Sequence, residues 1–456
     1  MIDGYIKFVR RFLPSPFSIA LLLTALSLVG VVALNFSSDK AIVGKAFNWW
    51  AHGLWTPSLL VFAMQMMLML VLGHVLALTP AVSKFIHLLV SKAHNTASAA
   101  AIVSFFALSV GLFNWGLGLI FGAILARKVG ESFSERNKAL NYALIGAAGY
   151  AALMIWHGGI SGSALIKVAE PGNLQQLLTG VLAEAELKNL PERIGLEQTV
   201  FSLKNILTSI AILIAIPTSL FLIGSKTKEE ILDLKFEQSN FTSSRIESFG
   251  AERFDNSQLA GKIGGGIILS YCLYLIIFQN DFLSFFNPNN INLTLLGLSL
   301  LLHKNISSLL QATDNAISGA SGILLQFPLY FGIMGLFRDS GMIENFSNYF
   351  VSISNETTFP IFTFLSAGIV NIFVPSGGGQ WVIQGPVIVK ASLELGIPLH
   401  KSILALAYGD QITNMLQPFW ALPLLGITKL SAKDILPYTL IMFLVGFCIF
   451  IISVAI

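Results

Sequence analysis

The stretch Pro375-Ser376-Gly377-Gly378-Gly379-Gln380-Trp381 lies between two apolar half-length runs, and its residue types suit the binding of a small anion. Proline stops the incoming helix, and three glycines let bare backbone amides face one point. Ser376 and Gln380 add side-chain donors, and the helix that begins near Gln380 turns its positive end toward the same point. Such a group of donors holds a carboxylate without the desolvation of a lysine. In a water-exposed loop the same residues would make a plain glycine turn; at membrane depth they favour anion binding. A second turn, Phe113 to Gly118, carries Asn114, Trp115, Gly116 and Gly118 and is less polar. Two such tips meeting would hold a small substrate between them, with Trp115 and Trp381 as walls for an alkyl tail. Packing or interface anchoring is the ordinary use of tryptophan in such helices.

A second constellation runs from Gly409 to Trp420 and contains Asp410, Gln411, Thr413, Asn414, Gln417 and Pro418. Asp410 falls centrally in an apolar helix, where a carboxylate costs several kcal/mol unless a proton, a cation or a partner neutralises it. Asn414 is one helical turn onward, and Pro418 frees carbonyl oxygens nearby. Oxygen ligands beside unwound backbone suit Na⁺, while a lone aspartate suits H⁺. A structural aspartate that holds a broken helix together is the plainer alternative. Asp410, Thr413 and Asn414 are therefore the expected ion-coupling residues. His157, with Ser161 and Ser163, heads the matching break in the first half, as a proton relay, a substrate contact or a structural histidine. Asp314 and Asn315 are expected to cap the segment after 291–312, or else to face the substrate path.

The elements that must position these residues are membrane helices. Of 456 residues 54% are hydrophobic and only 11% charged, against about 25% charged in soluble proteins. The runs 15–35, 56–79, 204–224, 261–279 and 435–455 approach or exceed the roughly 20 residues that cross hydrocarbon as a helix. A net charge of +3, spread over short loops, is no nucleic-acid signature. Cys272 and Cys448 read as small core residues, and no spacing of ligands marks a metal cluster. The N-terminal Lys7, Arg10 and Arg11 precede an apolar run too long for a cleaved signal, which reads as a first helix.

Starting inside, region 97–126 returns to its own side, since Arg127, Lys128, Arg136 and Lys138 join Lys84 and Lys92 in the cytoplasm. That makes it a re-entrant hairpin, with its tip buried or lining a wet cavity. Helix 139–156 then leaves and breaks at His157, the polar segment 167–203 lies outside, and 204–224 returns. The charged loop 225–260, with Lys226, Lys228, Glu229, Glu230, Asp233 and Lys235, divides the chain. A shift of 263 residues superposes Gly116 on Gly379, Gly122 on Gly385, Glu131 on Glu394, Lys138 on Lys401 and Gly146 on Gly409. The expectation is an all-α polytopic membrane protein of inverted-topology repeats, each with a re-entrant helical hairpin and a broken transmembrane helix. Repeat one spans 1–224, a loop and linker helix 225–290, and repeat two 291–456, with hairpins at 97–126 and 358–394. In the second half 291–312 runs inward, 322–340 outward and 401–428 inward with a break. Lys and Arg then fall inside about two to one, although Lys390 and Lys401 lie outside. This is an architecture of secondary transporters.

Val374 to Trp381, followed by Gln384-Gly385-Pro386, resembles the signature of the short-chain fatty acid transporter family, whose bacterial members take up acetoacetate and butyrate. The resemblance extends to Trp156 to Ser163, to Gln326-Phe327-Pro328-Leu329-Tyr330, and to Gly409-Asp410 with Thr413-Asn414-Met415 and Gln417 to Trp420. It implies a secondary active carrier for small monocarboxylates in a bacterial inner membrane, embedded in the lipid bilayer and driven by H⁺ or Na⁺, with no other cofactor. The wider group of double-hairpin ion transporters, to which the family belongs, contains many dimers, so a homodimer is implied as well. The expected substrate residues are Ser376, Gly377, Gly378, Gly379, Gln380 and Trp381, with Asn114, Trp115, Gly116, His157 and Ser161.

Other functions compete. A cation/H⁺ antiporter of the same broad fold would use Asp410 equally well, and another small organic anion would suit the same donors. Gly319-Ala320-Ser321-Gly322 and Gly159-Ile160-Ser161-Gly162 match the G-x-S-G of intramembrane serine proteases, with His157 or His303 as base. A nucleophile needs its base within hydrogen-bond reach, and a four-residue match of glycine and serine recurs by chance in a chain so rich in both.

Overall fold

The computed structural model describes residues 4–5, 14–36, 40–179, 181–231, 250, 252–278, 285 and 287–456. Lys7, Arg10, Arg11, Asp233 and Lys235 lie outside them. Among the described residues eight helical stretches are long and apolar enough to cross a membrane by length and composition. They are Pro16–Asn35, Pro57–Ala77, Thr96–Phe113, Tyr142–Lys167, Leu203–Gly224, Gln258–Phe278, Ile306–Asp339 and Ala432–Ala455. The chain is a multi-pass membrane protein. Its outer helices keep apolar side chains outward, where a soluble protein would place charge: Leu26, Val29 and Leu34 are each more than 60% exposed. The only strands described are a two-residue antiparallel pair, Ala139–Leu140 with Glu230–Ile231.

Helix starts are written locally. Proline occupies the first turn at Pro16, Pro57, Pro80, Pro288 and Pro418, where its missing N–H is not needed. Asn95 and Asn305 each cap a helix by accepting from the backbone N–H three residues on, at 2.9 Å, with a serine returning the bond. The Asn305 cap overturns one expectation. The run 291–312 is two helices, Pro288–Leu302 and Ile306–Ile317, parted at His303-Lys304-Asn305. Asp314 and Asn315 consequently sit inside the second helix, exposed, and cap nothing. Helix Ile42–Leu54 had no counterpart in the reading of the sequence. The segment 167–203 carries short helices at Asn173–Leu178 and Glu184–Asn189. Cys272 is buried as expected, but Cys448 is exposed on the outer side of its helix.

Region 97–126 is a helical hairpin. Thr96–Phe113 and Trp115–Glu135 are joined at Asn114, and the arms run back to back. A Cβ at Gly118 would meet Gly111, and one at Gly122 would meet Ala107, so one arm advances as the other retreats. Gly122 also lies against the Gly149 carbonyl at a distance only glycine allows. The second hairpin joins Phe359–Phe373 to Gly377–Glu394 through Val374, Pro375 and Ser376. Each hairpin's first arm packs alongside a broken helix. One break comprises Tyr142–Tyr150 followed by 3-10 turns at Ala151–Met154 and Trp156–Gly158, so regular helix ends seven residues before His157, where the sequence had put the break. The other comprises Leu399–Thr413, a 3-10 turn at Asn414–Leu416 and Pro418–Thr428. Corresponding elements keep a near-constant spacing: Pro80–Val90 and Met342–Ser352 differ by 262 residues at both ends. Partners are exchanged between halves as well. Ile42–Leu54 packs on Ser321–Asp339, and Ile306–Ile317 packs on Pro57–Ala77.

Candidate functional site

The hairpin tips and the helix breaks meet around a cavity of about 490 Å³. Its floor is Ser376, Gly377 and Gly378, and its walls are Phe62, Trp115, Trp156 and Trp420. Ser161, Ser163 and Asn414 add polar edges, and Lys167, Glu170 and Asn287 flank its mouth.

The floor is the start of the 18-residue helix Gly377–Glu394. Ser376 Oγ caps it by accepting from the Gly379 N–H at 3.2 Å, and the Gln380 N–H donates to the Ser376 carbonyl at 2.7 Å. The N–H groups of Gly377 and Gly378 are left without a partner among the described residues. Both glycines line the cavity, so two amide donors and the positive end of a helix face its interior. The third glycine is a cap contact and not a ligand. A Cβ at Gly377 would lie 2.8 Å from the Trp156 ring, whereas at Gly378 it would enter open space with Ser163 Oγ 4.0 Å away.

Two expected contacts fail here. Gln380 is fully buried and spends its side-chain N–H₂ on the Ala367 carbonyl at 2.8 Å and on Gln384 Oε1 at 2.7 Å. One turn into a helix, its side chain points back into the protein. Trp381 is 2% exposed and lies against Gly385, outside the cavity lining. The aromatic walls come from Phe62, Trp156 and Trp420 instead, together with the expected Trp115, whose ring lies 5.1 Å from that of Trp420.

The first tip engages two of its amides within the protein. Asn114 Oδ1 accepts from the Leu117 N–H at 2.9 Å, and the Trp115 N–H donates to Ser161 Oγ at 3.1 Å. Gly116 packs against Met69 and does not reach the cavity. Only the Trp115 ring represents this tip at the site. Ser161 thus both fixes the tip and borders the cavity.

Asp410 is 1% exposed, and the imidazole of His157, at 0%, lies beside it, with Nδ1 3.5 Å from Asp410 Oδ2. His157 Nε2 accepts from the Ala164 N–H at 3.1 Å, so in the neutral ring the proton resides on Nδ1 and faces the carboxylate. The ring stacks on Trp156 at 4.5 Å, and its Cε1 is 3.1 Å from where a Gly377 Cβ would be. His157 does not line the cavity. It stands between the cavity floor and Asp410.

Asn371 organises the second break, and the sequence reading missed it. Its Nδ2 lies 2.7 Å from the Asp410 carbonyl, 2.9 Å from Thr413 Oγ1 and 2.9 Å from Asn414 Oδ1. Its own carbonyl accepts from Gln417 Nε2 at 2.7 Å. An amide nitrogen has two hydrogens, so three oxygens around one exceed its donors. Asp410 Oδ2, Asn371 Oδ1 and Gln417 Oε1 are buried with no hydrogen-bond partner. An oxygen-rich group short of donors fits a hard monovalent cation. A lone amide in the apolar run Phe359–Phe373 was the available signal for Asn371, and Trp156, Ser163 and Trp420 stood inside the motifs already singled out. Nothing sets Phe62 apart from its apolar neighbours. As for nucleophilic serines, His157 Nε2 is taken by Ala164, and Ser321 is exposed with Oγ donating to the Ser318 carbonyl.

The family model described as "Short chain fatty acid transporter" matches residues 1–456. A candidate short-chain fatty acid transporter of Haemophilus influenzae is 35% identical over 450 residues, covering 98% of this chain and 97% of that protein. Another, from Escherichia coli, is 34% identical over 451 residues, covering 98% and 97%. Among solved structures, the YdaH transporter of Alcanivorax borkumensis aligns with a TM-score of 0.48 at 15% identity, over 97% of this chain and 98% of that one. MtrF of Neisseria gonorrhoeae aligns with a TM-score of 0.43 at 13% identity, over 99% and 97%.

Proposed function

The chain belongs to the short-chain fatty acid transporter family, a family of transporters and not of enzymes, and from that premise we propose that it imports butyrate, acetoacetate and similar small monocarboxylates across a bacterial inner membrane. The observation that carries this reading is the pair of free amides at Gly377 and Gly378, which open into an aromatic-walled cavity. The carboxylate is held by those amides and by the hydroxyls of Ser161 and Ser163, and the alkyl chain lies among Trp115, Trp156, Trp420 and Phe62. Each charge-assisted hydrogen bond contributes about 1.5–3 kcal/mol, and each buried methylene about 0.8 kcal/mol. The head therefore fixes that an acid binds, and the walls select its length.

The reading includes inverted repeats, with hairpins entering from opposite faces. Support comes from the way the breaks cross. The Tyr150 hydroxyl bonds the Asn414 and Gln417 carbonyls, Asn414 reaches the Leu153 carbonyl, and His157 meets Asp410 and Gln411. One chain rises through these contacts as its counterpart falls. Alternating access then rocks one repeat against the other around the shared cavity.

Coupling belongs, on this reading, to the second break. Asp410, Asn371, Thr413, Asn414 and Gln417 offer oxygens to Na⁺. A second reading, H⁺ carried by Asp410, is favoured by the imidazole N–H of His157 at 3.5 Å. Uptake of labelled butyrate and acetoacetate into proteoliposomes, with Na⁺ and H⁺ gradients imposed separately, tests both. Accumulation under one gradient is expected and names the ion. Cation exchange with no carboxylate accumulation would replace this function by an antiporter.

A further inference from the structure

Away from the substrate cavity a second one, of about 410 Å³, lies between the segment 191–198 and the turn 392–400, and Arg193 and His400 line it. Two lysines stand close by. Lys204 is the second residue of the span Leu203–Gly224 and Lys401, next to His400, the third of Leu399–Thr413; these helices touch where the Tyr408 hydroxyl donates to Asn205 Oδ1 at 2.9 Å, which brings both lysines toward His400. None of these four groups forms an ion pair among the described residues. The nearby carboxylates do not answer them: Glu394 lies 3.9 Å from Lys390, and Glu192 and Glu197 are exposed and unpaired. Like charges gathered round a concavity repel unless an anion joins them. By the positive-inside pattern Lys401 also lies on the side that cations avoid.

We propose that this cavity binds the headgroup phosphate of an anionic phospholipid, with Arg193, His400, Lys204 and Lys401 as its donors. Charge complementarity names the phosphate. The lipid is named by what adjoins the cations, an apolar surface in place of open water. Leu203 and Leu207 are exposed on the helix that carries Lys204, and Leu393, itself exposed, lines the cavity. A headgroup among the cations would therefore leave its acyl chains along Leu203 and Leu207, in the bilayer that this helix crosses. Basic pockets beside membrane helices recognise anionic headgroups in this way. The site is separate from the substrate cavity, so the proposal stands or falls independently of the carboxylate transported.

The test uses the full chain, purified in detergent and stripped of lipid. Phosphatidylglycerol and phosphatidylcholine vesicles are titrated in turn, with native mass spectrometry for bound lipid and thermal unfolding for stabilisation. Phosphatidylglycerol should be retained and should raise Tm, and phosphatidylcholine should do neither. The double variant Lys204→Gln with Lys401→Gln should lose retention roughly 10- to 30-fold, as expected for removing two cations from a lipid surface. Lys204→Arg with Lys401→Arg should keep it, and Lys84→Gln with Lys92→Gln should not change it. Undiminished retention by the first variant overturns the proposal, as does equal binding of the two lipids. Equal stabilisation by inorganic phosphate alone overturns the lipid assignment in favour of a free anion.

Discussion

The two halves carry nearly the same frame and very different chemistry. Under the shift of 263 residues Asp410 corresponds to Ala147, Asn414 to Ala151, Gln417 to Met154 and Asn371 to Leu108. The polar groups of the second break thus face an apolar copy of themselves. At the tips Ser376 and Asn114 occupy the same capping position, so Gly377 and Gly378 correspond to Trp115 and Gly116. One tip leaves the amides of Gly377 and Gly378 open to the cavity, while the other ties the Trp115 and Leu117 amides to Ser161 and Asn114 and offers an indole ring. The first half acts as the mould. Tyr150 satisfies the loose carbonyls of Asn414 and Gln417, and Trp156 and Trp115 wall the cavity. A repeated frame therefore fixes where a site lies, and side-chain substitution on one copy decides what it binds.

The largest effect should come from removing the one buried carboxylate in this asymmetry. Asp410→Asn should reduce gradient-driven accumulation by at least about 100-fold, some two decades at about 1.4 kcal/mol each. Substrate exchange across the membrane without a gradient should survive, because Asn keeps the shape and the site's amides are untouched. Accumulation assayed beside counterflow in the same proteoliposomes reads both. If Asp410→Asn still concentrates butyrate, coupling lies outside the second break and the contrast between halves is only structural.

Next comes the contrast between tips. Gly378→Val should weaken uptake of acetate, butyrate and longer acids alike, by roughly 10- to 100-fold for the loss of one charge-assisted hydrogen bond. Its Cβ enters the open cavity above the amides. Gly116→Ala, at the first tip, meets Met69 and should lower Tm with no change in affinity per folded molecule. Uptake KM and Tm measured for both variants separate the two outcomes. Equal loss of affinity at both tips would mean that both bind the carboxylate.

Much of this was legible in the sequence because membrane helices, glycine turns and intramembrane carboxylates each break an expected pattern. Asp410 stands out in an apolar run, and so does the Ser376-to-Gly379 turn. The errors share another cause. Helix phase decides which side of a turn faces a cavity, and one residue is 100° of rotation. Gln380 and Trp381 come only two and three residues after the open amide of Gly378, yet they point back into the protein. His157, expected at the cavity, lies one layer behind its floor, because the break begins at Ala151. Phe62 is one aromatic in an apolar run, and only tertiary packing brings it to the site.

Walls should produce smaller effects, and the kind of effect is the test. Trp115→Ala and Trp420→Ala should each shift the preference among acetate, butyrate and hexanoate by several-fold, at about 0.8 kcal/mol per methylene that loses or gains contact. Trp381→Ala should leave that preference unchanged and instead destabilise the fold by about 3–5 kcal/mol, the usual cost of emptying an aromatic core position. Competition of each acid against labelled butyrate, with Tm recorded alongside, distinguishes wall from core. A change in chain-length preference in Trp381→Ala would return that residue to the site.

The smallest effect belongs to the mouth, where the first half contributes a charged pair. Lys167 Nζ donates to both carboxylate oxygens of Glu170, at 2.9 and 3.0 Å, and both side chains are about half exposed. An exposed pair of this kind adds little stability, so its removal should leave Tm unchanged. Its consequence is for arrival. On the proposed reading an incoming carboxylate passes Lys167 before it reaches the amides of Gly377 and Gly378, and Glu170 competes for the same ammonium. Lys167→Gln should raise KM by about two- to threefold at low ionic strength, and the difference should fade by 0.15 M salt, where the Debye length is about 8 Å. Glu170→Gln should act in the opposite direction, since it frees the lysine. If KM in Lys167→Gln rises equally at all salt concentrations, the lysine binds substrate directly, and the first half supplies a charged ligand as well as the mould.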